Sequence, residues 1–193
     1  MLIREMTEAD CEAVAAVRTA GWRTAYAGLL PPAYLASLDP AENASRHRAR
    51  LAGSDGTVVD LLAERGGTVV GWACFGPYRP AGTPGAGGNA ASTADAELYA
   101  LYVDPEHWST GAGRALMDAV LGRCRAAGRP RVLLWVLEGN ARARRFYERS
   151  GFGPDGAREP FAAGGVTVPE VRYVRVSGRH PGQGGRGRRR EAG

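Results

Sequence analysis

Glu97-Leu-Tyr-Ala-Leu-Tyr-Val-Asp-Pro-Glu-His-Trp-Ser-Thr-Gly-Ala-Gly-Arg-Ala-Leu-Met117 is the stretch on which the fold turns. Aromatic and branched residues over Glu97–Val103 predict a strand. Asp104-Pro105 predicts a turn, and Gly111-x-Gly113 opens a helix whose Leu116, Val120 and Cys124 share one face. The first turn of a helix carries four backbone N–H groups without intrahelical partners, at the positive end of the helix dipole. Glycines there remove the Cβ atoms that would keep an anion at a distance. The segment therefore reads as a backbone cradle for phosphate. A P-loop would need Gly-Lys-Ser/Thr, and Gly113 is followed by Arg114-Ala115. A dinucleotide fingerprint would need a third glycine near Leu116. A tight strand-to-helix connection without a ligand is the plainer alternative.

Outward from this segment the pattern alternates. Arg131–Leu137 predicts a strand and Asn140–Ser150 a helix closed by Gly151, so two βα units imply a partly parallel sheet. Upstream, Thr57–Glu64 and Thr68–Phe75 read as a hairpin turning at Arg65-Gly66-Gly67. Met1–Glu5 reads as a short strand. Thr7-x-x-Asp10 resembles a capping box before a helix through about Ala20, and Asp39-Pro40 starts a second helix to Leu51. Downstream, Val166–Val176 is the last predicted strand. Arg79–Asp95 is a Gly/Ala/Pro-rich surface loop, and residues 178–193 form a Gly/Arg-rich tail expected to be disordered. The expected organisation is thus one α/β domain over residues 1–177 plus that tail.

The chain has 193 residues, enough to bury roughly 70% of its unfolded surface without disulfides or metal. Cys11, Cys74 and Cys124 are widely spaced and form no CxxC pair, which points to a reducing, cytoplasmic setting. No secretory leader or membrane span is read in the sequence. The net charge is +5, and the tail, with five arginines against Glu191, accounts for +4 of it. The basic balance therefore describes the tail and does not mark a nucleic-acid surface on the fold. His47, His107 and His180 lack metal-ligand spacing and read as surface residues.

Leu101-Tyr102-Val103-Asp104-Pro105 followed by Ser109-Thr110-Gly111-Ala112-Gly113 resembles the acetyl-CoA signature of the GNAT superfamily of N-acetyltransferases. Trp108 departs from it, standing where the family usually has Gln or Arg. Trp135-Val-Leu-Glu-Gly-Asn140-Ala-Arg-Ala143-Arg-Arg-Phe146-Tyr147-Glu-Arg-Ser-Gly151-Phe152 resembles the family's second signature. Together the two span residues 97–152. The resemblance implies the GNAT fold: a mostly antiparallel central sheet, flanked by helices, with a splayed parallel strand pair that holds the pantetheine of acetyl-CoA. Main-chain groups of Leu101 and Val103, with Tyr102 between them, would pair with the pantetheine. The turn from Trp108 and Ser109 through Arg114 and Ala115 would hold the pyrophosphate, and Asn140 and Ala143 would face the arm from the other side. No metal is implied, and a homodimer is left open.

Acetyl transfer to an amine needs a neutral nucleophile, a polarised carbonyl and a proton for the departing thiolate. Tyr147 is the candidate acid, since a tyrosine with a pKa of about 10 keeps its proton at neutral pH. It follows Asn140 by seven residues, close to two helical turns or ~10 Å. Glu97 is the candidate base, directly or through a water, expected on the same strand face as Leu101, with a solvated strand-end carboxylate as its equal alternative and Glu138 and Asp104 as fallbacks. Trp22, Tyr26 and Tyr78 are candidates for an aromatic acceptor pocket suited to a cationic amine, small-molecule or peptide. Plain core packing is their alternative. The second reading of the chain keeps the cradle without the chemistry: a non-catalytic acyl-CoA-binding or sensing module.

Overall fold

The computed structural model describes residues 1–79, 92 and 94–177. Most of the expected surface loop and all of the tail lie outside the described residues. The chain runs β1 (Leu2–Glu5), α1 (Cys11–Ala25), α2 (Pro32–Ala36), α3 (Pro40–Ala52), β2 (Val59–Arg65), β3 (Thr68–Pro77), β4 (Ala96–Val103), α4 (Ala112–Ala126), β5 (Arg131–Leu137), α5 (Ala141–Arg149), β6 (Gly153–Ala163) and β7 (Val166–Val176). Single 3-10 turns, Glu8–Asp10 and Pro105–His107, precede α1 and follow β4.

The strands form one seven-stranded sheet in the order β1-β2-β3-β4-β5-β7-β6. Every neighbouring pair is antiparallel except β4–β5. That pair is matched only at Ala96 with Val132 and Glu97 with Leu133, then parts. This is the mixed sheet with a splayed parallel pair that the sequence led us to expect.

Alternation along β2 separates the two sheet faces. Leu61 and Ala63 pack with Leu116, Met117, Val120 and Cys124 of α4. Leu62 packs with Cys11, Val14 and Ala15 of α1 and Ala44 of α3. The β2–β3 turn has Gly66 at φ 57° and Gly67 at φ 79°, the positive pair that a two-residue hairpin turn requires. Asp39 caps α3 by accepting from the Ala41 N–H at 2.8 Å.

The expected capping box is present, and three other expectations differ from the structure. At Thr7 the hydroxyl and the N–H both donate to the Asp10 carboxylate, each at 2.8 Å, and Arg4 grips the same carboxylate. Thr7 and Asp10 thus close the reciprocal capping box read from the sequence, at the 3-10 turn ahead of α1. Strand β6 was not read from the sequence. Gly153, Pro154, Gly156 and Pro160 hide it, and an edge strand tolerates them because it pairs on one side only. The short helix α2 starts at Pro32, where the sequence suggested only an interruption. Finally, β4 contains a bulge. Cys74 pairs with Ala100 and Phe75 with Leu98, leaving Tyr99 as the extra residue. The bulge flips the alternation, so Leu98, Leu101 and Val103 pack on the α4 side while Tyr99, Ala100 and Tyr102 pack on the α1 side. Glu97 and Leu101 therefore do not share a face.

Candidate functional site

Where β4 and β5 part, two cavities meet. The first, of about 310 Å³, runs from the start of α4 between the strands to α5. The second, of about 650 Å³, opens on the α1 and α3 side. Tyr26, Leu98, Tyr102 and Trp135 are among the residues that line both.

The first cavity contains most of the expected cofactor residues. Leu101, Tyr102, Val103, Trp108, Ser109, Gly111, Gly113, Arg114, Asn140 and Ala143 line it; Thr110, Ala112 and Ala115 do not. Helix α4 begins at Gly111 with φ 92° and no side-chain cap, so its first N–H groups have no side-chain partner. Ser109 also sits at positive φ, 64°. A Cβ on Gly111 would meet nothing within 4 Å, so the backbone angle, not crowding, requires glycine there. These features fit a diphosphate.

Trp108 fills the position of the family's Gln or Arg in a different way. Its indole N–H donates to the Val103 carbonyl at 2.8 Å, folding the turn back on the strand. The Arg142 guanidinium stacks on its ring, 3.9 Å from the centroid. Arg142 also lines the cavity, so α5 supplies a cation beside the position where the family's own would come from the turn. Sequence reasoning missed Arg142, which occupies a variable position of the second signature.

Asn140 is buried, and its Oδ1 caps α5 by accepting from the Ala143 N–H at 3.0 Å. Its amide nitrogen remains to meet a ligand. Tyr147 lines the first cavity, edge-on to Phe146 and Phe152. Burial holds its hydroxyl pKa well above the ordinary tyrosine value, so it is protonated at neutral pH.

Glu97 belongs to the second cavity and not to the first. It is 4% exposed and accepts from the Arg79 N–H at 3.0 Å and the Arg79 guanidinium at 2.9 Å. Trp22 and Tyr26 also line the second cavity, with rings edge-to-face at 4.8 Å, and the Tyr26 and Tyr102 hydroxyls stand 3.4 Å apart. Tyr78 lines neither cavity. It is buried, and its hydroxyl accepts from Arg172 at 2.9 Å, which places it among the packing residues. The fallback carboxylates are likewise engaged, Asp104 capping the turn at Glu106 and Glu138 paired with Arg158. His47, expected at the surface, is buried edge-on to Trp72 and lines the second cavity.

Two carboxylates of the second cavity were not found from the sequence. Glu159 on β6 and Glu170 on β7 are directly opposite in register. Burial, then Glu159, then Glu97 push the Glu170 carboxyl up to about 7, and burial and Glu97 raise Glu159. Among the described residues no group of His, Cys, Asp and Glu is arranged to hold a metal, and no helix is long and apolar enough to cross a membrane.

The chain is similar to several known proteins. The uncharacterized N-acetyltransferase YuaI of Bacillus subtilis is 32% identical over 171 residues, 88% of this chain and 89% of that protein. Mycothiol acetyltransferase of Beutenbergia cavernae is 52% identical over 61 residues, 32% of this chain and 20% of that protein. The crystal structure of the PaiA N-acetyltransferase from Thermoplasma acidophilum in complex with coenzyme A aligns with a TM-score of 0.67 at 21% identity, covering 91% of this chain and 98% of that one. The model of the acetyltransferase (GNAT) family matches residues 22–152, which include β2 to β5, the cradle at Gly111 and Tyr147. With that match over two thirds of its length, the chain belongs to the acetyltransferase (GNAT) family.

Proposed function

We propose that the protein transfers the acetyl group of acetyl-CoA to a primary amine, with both substrates bound at once. The reading is carried by two cavities that share Tyr26, Leu98, Tyr102 and Trp135 where β4 and β5 part. In this reading the first cavity takes acetyl-CoA. The free N–H groups at the start of α4, with Arg114 and Arg142, hold its diphosphate, and the open edges of Leu101 and Val103 meet its amides. Ala143 and the amide nitrogen of Asn140 flank the arm. Tyr147 donates a proton to the departing sulfur. The acceptor enters from the second cavity, past Trp22 and Tyr26, whose aromatic faces suit an ammonium group. Glu97, the base expected from its place on β4, orders the wall by holding Arg79, and a carboxylate of this cavity takes the acceptor's proton.

The test is release of free thiol from acetyl-CoA in the presence of a panel of primary amines: alkyl amines, diamines, aminosugars and short peptides with free N-termini. Thiol release with at least one amine, and measurable heat on mixing protein with acetyl-CoA, are expected. Binding without thiol release across the panel would favour an acyl-CoA sensor. No binding heat would remove the reading altogether.

A further inference from the structure

We propose that Glu170, facing Glu159 across β6–β7, receives the acceptor's ammonium group in the second cavity and takes its proton. The proposal rests on the acetyl-transfer reading above and assigns the proton acceptor within it.

The cations of the second cavity are Arg18 and His47, Arg50 and Arg79 from α1, α3 and the segment after β3. Arg18 donates to Asn43 and lies over the Trp22 ring. Arg50 pairs with Asp60, and Arg79 pairs with Glu97. Burial lowers the His47 pKa, which favours its neutral form. Every arginine of the wall is thus already engaged, and so is Glu97. Glu159 and Glu170 have no ion pair among the described residues. Two opposed carboxylates directly across a strand pair repel. A cation placed between them relieves that repulsion, and the charged form of the acceptor is a cation.

Glu170 is also the better placed of the two. It lies opposite Leu137 on β5, whose continuation leads to Asn140 and α5. Its charge acts on both the Tyr26 and the Tyr102 hydroxyls, in the wall shared with the first cavity. Glu97 offers the Coulomb field but not a free lone pair of the same kind, because both of its oxygens accept from Arg79. A carboxyl pushed up to about 7 is matched to proton transfer near neutral pH.

The ammonium N–H bond breaks and its proton passes to the Glu170 carboxylate, giving a neutral carboxyl and a neutral amine. The nitrogen lone pair forms the C–N bond as the C–S bond breaks, and the sulfur takes a proton from Tyr147. The nitrogen loses a second proton as the amide forms, which restores Tyr147, and Glu170 releases its own to solvent.

Two measurements test this on the full chain. In protein labelled with 13C at the glutamate carboxyl, a resonance lost in Glu170→Gln is expected to titrate near pH 7, to move to lower pH in Glu159→Gln, and to move to lower pH when n-butylammonium chloride is added. A Glu170 resonance in the ordinary carboxylate range, or one indifferent to n-butylammonium, overturns the proposal even if no acceptor has been found. With an amine from the panel that releases thiol, Glu170→Gln is expected to lower kcat/KM about 100-fold and to remove the acidic limb near pH 7, while the heat of acetyl-CoA binding is unchanged. Full activity in Glu170→Gln, with activity lost in Glu97→Gln, returns the role to Glu97. Loss of acetyl-CoA heat in the wild type is a failure of the acetyl-transfer reading and leaves the carboxyl titration to judge Glu170 by itself.

Discussion

The guanidinium of Arg142 lies over the indole of Trp108, 3.9 Å from its centroid, and ties α5 to the turn that begins α4. Trp108 is itself pinned by its N–H to the Val103 carbonyl. The pair sets a cation at the mouth of the first cavity without spending a flexible side chain's full freedom. Arg142→Ala is expected to weaken acetyl-CoA binding about five- to tenfold, or about 1–1.4 kcal/mol. Trp108→Ala is expected to weaken it similarly, and the double variant less than the sum of the two. Calorimetry with acetyl-CoA on the four proteins measures this.

Gly111→Ala places a side chain at φ 92°. The strain is expected to cost about 1–2 kcal/mol of stability. Because nothing crowds that Cβ, the cost is conformational, and the first turn of α4 reorients to relieve it. The melting temperature is expected to fall by several degrees, and its rise on adding acetyl-CoA to shrink. Thermal scans with and without acetyl-CoA separate the two effects.

Tyr147→Phe keeps the ring contacts with Phe146 and Phe152 and removes only the hydroxyl. Turnover is expected to fall about 100-fold while the heat of acetyl-CoA binding stays as it was. Thiol release beside calorimetry reads both. Normal turnover would take the acid role away from Tyr147.

Arg172 joins the hairpin β6–β7 to the rest of the sheet. It donates to Asp155 at 2.9 Å and to the Tyr78 hydroxyl at 2.9 Å, with both charged side chains under a tenth exposed. Asp155→Ala leaves that guanidinium buried without its carboxylate and is expected to cost about 3–5 kcal/mol. Glu42→Ala, which removes an exposed i,i+4 pair with Arg46, is expected to cost about 0.5 kcal/mol or less. Denaturant midpoints of the two variants compare them.

Glu170 also makes stability depend on pH. Its folded-state pKa stands above its ordinary value of 4.5, so the folded chain binds that proton more tightly than the unfolded chain does. Its contribution is therefore fully present below about pH 4.5 and is lost as pH rises through about 7. Glu170→Gln is expected to be more stable than the wild type at pH 8, with the difference narrowing toward pH 5. Denaturant titrations at the two pH values check the sign.

The central half of the chain was legible because its signals are local. Gly111 and Gly113 act through backbone geometry and Asn140 through its side-chain cap, each at a helix start, and the periodic face of Leu116, Val120 and Cys124 is buried as the spacing requires. The acceptor side was not legible, because it is assembled from a distance. Glu159 and Glu170 become neighbours only through a strand interrupted by two prolines. Glu97 lost the face expected for it to one additional residue, Tyr99, since period-2 reasoning has no means of seeing a bulge. Tyr78 looked like a pocket aromatic until the buried Arg172 claimed its hydroxyl.

The parting of β4 from β5 leaves the sheet as two leaves, four strands and three, bound along one short corner. An extended guest lying in that gap acts as a missing rung, and its binding energy is added to the folded state alone. In the proposed reading the thioester donor is therefore also a staple: when the cell runs short of it, the same seam that admits the guest becomes the place where the native structure first loosens.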